Sequence, residues 1–409
     1  MKRLGLYVKG WWKNVPAKRK RVKLGLELLE DRLAPAIITW DGGGDGVNWA
    51  DAKNWSADTL PGTSDDAVIA ANVQVLHASG ATVVKSVNCA GGLIVGGDSF
   101  EVTEGNSLVS GALTLMAGVS LTARGSGVTF EAQGTTSIDG ASLSALGGGR
   151  LSLPGLTAYA MVRGGTATLG ADGAGSILDL SAVTTLTGSS ASGSDSVTHT
   201  LEVRATGGGV VDLSNAAQII DPAVGGATNR RFVVSAAGAG SLIDLSGLTE
   251  LRDTTNASNF GIGVSLVEAT GGGEVRVPLL TSLANTGLSI DGASSVVPIG
   301  QLTSVTGGSI SVSGAGNDRA FAGLTDITGS DVTANGATIT LAAVTQADAA
   351  SFHASGGGRL SLPALTAYAM VRGGTATLGA DGAGSILDLS AVTTLTGSSA
   401  SGSDSVTHT

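Results

Sequence analysis

Two apolar residues separated by one variable residue, then an apolar residue followed by Thr, recur along most of the chain. The pattern is seen in RLSLPGLTAY, ILDLSAVTTL, LIDLSGLTEL, EVRVPLLTSL, ITLAAVTQA and RLSLPALTAY. Side chains alternate across a strand, so Leu151 with Leu153, Leu178 with Leu180, and Val275 with Val277 fall on one face. Ser152, Asp179 and Arg276 fall on the other. The apolar member of the pair, or its counterpart, sits at Leu156, Val183, Ala216, Leu248, Leu280, Leu302, Leu324, Val344, Leu365 and Val392. Spacing between these markers runs from 20 residues (Leu324 to Val344) to 33 (Val183 to Ala216). A constant strand motif with variable spacing is what stacked coils permit, because corners can lengthen while strands stay in register. One coil cannot bury its apolar face alone, whereas a stack shares a continuous core. The pattern predicts an all-β chain, a right-handed parallel β-helix (β-solenoid) with an aromatic N-terminal cap. An antiparallel sandwich is the competing fold, but the two-residue Asn-Gly or Asp-Gly turns that would join its strands are rare here.

Above this short repeat lies a longer one. Residues 152–200 recur as 361–409 with a single difference, Gly155 against Ala364, which points to a recent duplication. Glycine triplets at 147–149, 207–209, 271–273 and 356–358 precede or enter strands, where a coil corner needs positive φ and close backbone approach.

Composition narrows the class further. The 409 residues include 64 Gly but 8 Pro, with 42% hydrophobic and 3% aromatic residues. That excludes collagen and an ordinary disordered chain, and disfavours a helical one. A single Cys, Cys89, rules out an internal disulfide and reads as a small buried hydrophobe. The net charge of −10 is uneven: residues 1–33 hold ten of the 23 basic and three of the 33 acidic residues, so they carry +7 and the remainder −17. An acidic, Lys-poor body disfavours nucleic acid, and no apolar run is long enough for a transmembrane segment.

The first 36 residues read as a basic export leader: a cationic block, a short Leu-rich stretch, then Ala34, Pro35 and Ala36. Glu27, Glu30, Asp31 and Arg32 interrupt what a conventional secretory signal would keep apolar. The segment LELLEDRLAPA resembles the leader element of large exported surface proteins of planctomycete bacteria. That resemblance implies an extracellular or cell-surface location. Residues 37–99 form a second region, in which Trp40, Trp49 and Trp55 bring together three of the five Trp. Clustered large aromatics suit an end plug. The run W-D-G-G-G-D-G-x-x-W, then N-W and P-G-x-x-D-D-A-V-I, resembles the opening of bacterial surface proteins that continue into β-solenoid repeats of adhesin or autotransporter-passenger type. Asp41, Asp45, Asn48 and Asp51 can supply oxygen ligands to calcium, although their spacing is not that of an EF-hand. The alternative is a Gly-rich turn whose acids accept from local backbone amides.

Residues 100–409 are then the solenoid repeats. Their outward row begins Ser152, Asp179, Asp212, Asp244 and Arg276, so three stacked carboxylates stand as a second candidate metal column, with a solvated polar ladder as the alternative. The longer coils place extra residues at 188–200, 221–231 and 253–263, one corner on which a glycan or another surface protein would be recognised, with Arg230 and Arg231 as candidate contacts. The four His are scattered, and no nucleophile elbow, phosphate loop or zinc-protease signature is present. The expectation is therefore a structural or adhesive rod without catalysis or cofactor. A polysaccharide-degrading β-helix enzyme and a calcium-organised surface-layer protein are the alternatives. The repeat stops before its next strand, so the solenoid reads as C-terminally incomplete, with an end open to self-association.

Overall fold

The structure, a computed structural model, describes residues 36–162, 164–190, 199–222, 230–254, 265–370 and 375–397. The leader apart from Ala36 lies outside them. Among the described residues every pairing between strands is parallel; the single antiparallel contact is an isolated bridge between Trp40 and Trp55. This is a parallel β-helix, and the sandwich alternative is set aside. The only helical elements described are two 3₁₀ turns, Ala52–Asn54 and Ser56–Asp58.

The coils wind past three walls. The first wall is one continuous sheet of thirteen strands running from Ala81–Val84 to Leu378–Asp381. The second has ten strands, from Ile37–Thr39 to Glu274–Arg276, and resumes as four strands from Asp318–Ala320 to Ile386–Asp388. The third is built from a four-stranded, a six-stranded and a two-stranded sheet joined in part by isolated bridges at Asp326. The second wall breaks at Pro298. Proline has no N–H to donate to the coil below, and the ladder there narrows to one bridge, Glu274 to Val296.

Two columns on the first wall show how alternation becomes a core. Phe100, Leu121, Leu143, Leu169, Val203, Val234 and Val267 lie one above another in register. Two residues further along each strand, Val102, Ala123, Ala145, Ala171, Ala205, Ala236 and Ala269 form a column of small side chains. All these residues are buried. Alternating large and small side chains on each level let the interior fill without voids. Each fully buried Leu or Val contributes about 1.5–3 kcal/mol from apolar burial.

The apolar-Thr pair has a specific task. In Thr184, Thr303, Thr325 and Thr393 the backbone N–H and the side-chain Oγ1 both donate to the carbonyl of the residue at the same place one coil earlier: Thr157, Thr281, Thr303 and Thr366. The hydroxyl distances are 3.0–3.1 Å. The preceding Leu or Val points into the core while the Thr ties the corner to the next level.

The glycine triplets mark the corner between the first and second walls. Gly147 and Gly148 have φ of 61° and 92°, and a Cβ on Gly149 would stand 2.3 Å from the Ala123 carbonyl oxygen. The first two positions need left-handed backbone and the third leaves no room for a side chain. The coils above three of them carry G-A-G-S instead, and the coil above 271–273 carries G-A-S-S. Ser176 Oγ accepts from the Gly148 N–H at 2.9 Å and donates to the Asp172 carbonyl at 2.6 Å. Ser241 and Ser385 repeat this arrangement over Gly208 and Gly357. Over these levels the corner therefore alternates, with a triplet coil under a serine coil.

The aromatic segment closes the first level. Trp55 sits between Trp40 and Trp49, with ring centroids at 5.0 and 4.7 Å, both edge-on. Trp49 reaches Phe100 of the first wall at 5.3 Å. Trp55 Nε1 donates to the Trp49 carbonyl, so the buried indole keeps its hydrogen bond.

Candidate functional site

On the outer face of the second wall, Asp179, Asp212 and Asp244 stack in register, with Ser152 below and Arg276 above. Each belongs to an Asp-Leu-Ser sequence. Its Oδ1 accepts the N–H of the Ser two residues on, at 3.3 Å for Ser181, 3.0 Å for Ser214 and 3.0 Å for Ser246. That bond launches the corner towards the third wall. The outer oxygens at the two ends of the column are held by arginines: Arg150 Nη2 lies 2.6 Å from Asp179 Oδ2, and Arg276 Nη1 lies 2.9 Å from Asp244 Oδ2. Burial raises the Asp179 carboxyl, but hydrogen bonds from the Ser181 hydroxyl and N–H, the Arg150 charge and the Ser152 hydroxyl outweigh it, so the group titrates below the ordinary Asp value.

Among neighbouring coils about 4.8 Å apart, two carboxylates repel by roughly 1 kcal/mol in water and a few times that near a protein surface. Cations at both ends of the row and amide donors at its inner edge offset this. The described residues include no group of three or more His, Cys, Asp or Glu arranged to hold a metal ion. Asp179, Asp212 and Asp244, expected as a calcium column, stand here as a hydrogen-bonded polar ladder bounded by two arginines.

The other expected calcium set is also committed elsewhere. Asp45 Oδ1 accepts from the N–H groups of Val47 and Asn48 and from Asn54 Nδ2, and its Oδ2 accepts from Asn48 Nδ2. Asp41 Oδ1 accepts from Gly43 N–H. Asp51 accepts from the N–H groups of Asp45 and Lys53. Asn48 donates to Asp45 and thus does not face a common centre with it. Four donors, led by the Asn48 N–H and then the Asn54 amide, hold the Asp45 carboxyl far below the ordinary range. The turn reading is the one the geometry follows: these acids replace missing backbone partners in a Gly-rich loop.

Arg230 corrects the third expectation. It is fully buried, and its Nη1 donates to the carbonyls of Ser189 and Pro222. It cannot be a surface contact. Arg231, next along the strand, is half-buried. Around Arg230 the corner between the third and first walls is polar inside: His199 is its register partner, and Asp221 and Asp253 are buried register partners of each other. Asp253 Oδ2 accepts from Ser265 Oγ at 2.8 Å, and Ser265 Oγ accepts from the Phe232 N–H at 3.0 Å. Strand parity carried this signal. Arg230 is in phase with inward Phe232 and Val234, and Asp221 with inward Ile219, whereas Arg231 is in phase with outward Val233. Of the three candidate recognition loops, residues 191–198, 223–229 and 255–264 lie outside the described residues.

The class is defined by these features: a three-walled parallel β-helix with an aromatic first level and a polar outer ladder. Comparison with protein-family models, with curated proteins and with solved structures finds no match to the chain. No helix among the described residues is long and apolar enough to cross a membrane.

Proposed function

We propose that the chain is an exported repeat protein of the cell surface or extracellular space, a scaffold without catalysis that presents its long corner loops to a glycan or another surface protein. The observation that carries this reading is how the charged groups of the outer ladder are used. Arg150, Arg276 and the three stacked aspartates serve corners and adjoining coils instead of converging on a cleft. A thirteen-strand wall built this way is a stiff spacer whose loops can vary without disturbing the core. The leader motif supports export, and its likeness to planctomycete surface-protein leaders is part of the same proposal.

Fractionation of the producing cell tests it. The reading predicts the protein in the medium or on the surface, with no reducing or unsaturated ends released from uronic-acid polymers. Retention in the cytoplasm, or product release, would overturn it.

A further inference from the structure

The outer face of the first wall carries a depression centred on a glycine. Gly170 lies in register between Ser144 below and Arg204 above, and next to it Asp172 lies between Leu146 and Thr206. With no side chain at Gly170, the strand backbone forms the floor of a depression of about 230 Å³, lined by Ser144, Thr168, Gly170, Asp172, Arg204 and Thr206 among others.

The neighbouring carboxylates accept from hydroxyls on an adjacent coil: Glu202 from Thr168, Asp172 from Thr206, and Glu268 from Ser235. Arg204 is exposed and has no ion pair or hydrogen bond among the described residues, unlike Arg124, Arg150, Arg252 and Arg276, which are all paired. An unpaired guanidinium beside a bare backbone floor and a rim of hydroxyls is an arrangement that the stack itself does not require.

We propose that this depression is a binding site for a single hydroxylated ring bearing one carboxylate, an acidic sugar residue. The ring would lie on the Gly170 backbone with its carboxylate on Arg204, whose planar fork matches a carboxylate with two parallel hydrogen bonds. Its hydroxyls would face Ser144, Thr168 and Asp172. The volume lies below the usual range for drug-sized ligands and suits one ring.

The duplication supplies an internal contrast. Thr377, Gly379 and Asp381 repeat Thr168, Gly170 and Asp172, but Gly379 pairs with His353 instead of a serine, and no described strand presents an arginine beside it. The site goes beyond the scaffold reading, which stands or falls on location and product release.

Calorimetric titration of the full chain with D-galacturonate, D-galactose and inorganic sulfate tests it. Millimolar binding of galacturonate alone is expected, weakened at least about tenfold in Arg204→Gln by loss of the charge-assisted pair. A Cβ at Gly170 would meet only Thr168 Cγ2 at 3.4 Å and the Arg204 carbonyl at 3.6 Å, so Gly170→Val fills the floor without breaking the coil and should abolish binding. Gly379→Val should leave binding unchanged. Absence of galacturonate binding, equal binding of sulfate or galactose, or binding that survives both Arg204→Gln and Gly170→Val would overturn the proposal.

Discussion

Residues 152–188 and 361–397 have the same sequence apart from one position, yet the two segments are buried differently. In the first copy Leu178, Leu180, Val183 and Leu186 are all fully buried. In the second, their counterparts Leu387, Leu389 and Val392 are half-buried, and Leu395 is 66% exposed. The lower faces agree closely: Tyr159 Oη donates to the Ala141 carbonyl at 2.8 Å and Tyr368 Oη to the Ala350 carbonyl at 2.9 Å. The difference lies above, where 199–222 covers the first copy and no described coil covers the second. A coil therefore has no core of its own; its burial belongs to the pair of coils that share it.

The single sequence difference makes the same point from below. A Cβ at Gly155 would stand 2.0 Å from the Gly134 carbonyl oxygen. Gly155 tops a column in which Gly134 crowds the Gly111 carbonyl and Gly111 the Gly91 carbonyl, at 2.2 and 2.4 Å from their own virtual Cβ positions. The coil beneath the second copy has a Leu-Ala-Ala-Val-Thr corner instead, and Ala364 fits over it.

The largest expected contrast comes from the same substitution in both copies. Leu186→Ala should destabilise its coil by about 2–5 kcal/mol, while Leu395→Ala should cost well under about 1 kcal/mol, because little cavity is created at an exposed site. Hydrogen exchange of the strands flanking each coil reads this directly, and equal losses would break the comparison. Next in size, Gly155→Ala should cost about 1–3 kcal/mol through backbone displacement, with Ala364→Gly nearer about 0.5–1 kcal/mol. A tolerated Gly155→Ala, measured by thermal melting, would mean that the column is looser than its geometry.

A third prediction concerns the aromatic end. His77 is buried against Trp49 and Phe100, with Nε2 2.7 Å from Thr82 Oγ1 and no partner at Nδ1. Burial lowers its pKa below 6.5; its own backbone carbonyl and the Asp98 charge oppose this only in part. The unfolded chain therefore binds the proton more readily, so the stabilisation by neutral His77 is complete above pH about 6.5 and is lost as pH falls below it. Tryptophan emission at acid pH should report loosening of the first level, and His77→Gln should remove that dependence. An acid response that persists in His77→Gln would contradict it.

The smallest effect is expected at the polar ladder. Asp212→Asn keeps an acceptor for Ser214 and relieves repulsion from its neighbours. Its melting temperature should change by the equivalent of no more than about 0.5 kcal/mol, with or without calcium. A calcium-dependent shift lost in the variant would restore the metal column.

How much of this was legible follows from which interactions are local. Alternation within Leu178-Asp179-Leu180 states which side chains face inward, and the Leu-Thr pair marks each corner, so the coil could be read from single motifs. The register partners could not, because they come from residues 18–34 positions away and depend on how each corner closes. That is why the motif puts Asp179, Asp212, Asp244 and Arg276 in one row but does not show that Arg150 and the serine amides satisfy the carboxylates. For Arg230 two local signals disagree: its place next to a polar loop suggests a surface contact, while its phase with Phe232 puts it inside. The serine that caps each glycine triplet lies in the next coil, beyond any local pattern.

Disulfide cross-linking in a Cys89→Ser background tests the stacking most directly. Adjacent register partners should lie about 4.8 Å apart and partners two coils apart about twice that, beyond the roughly 7 Å Cα limit for a bridge. Cysteines replacing Asp179 and Asp212, or Asp212 and Asp244, should oxidise readily to an intramolecular disulfide, and the pair replacing Asp179 and Asp244 should not. Cross-linking of the outer pair with failure of both inner pairs would contradict the in-register coil.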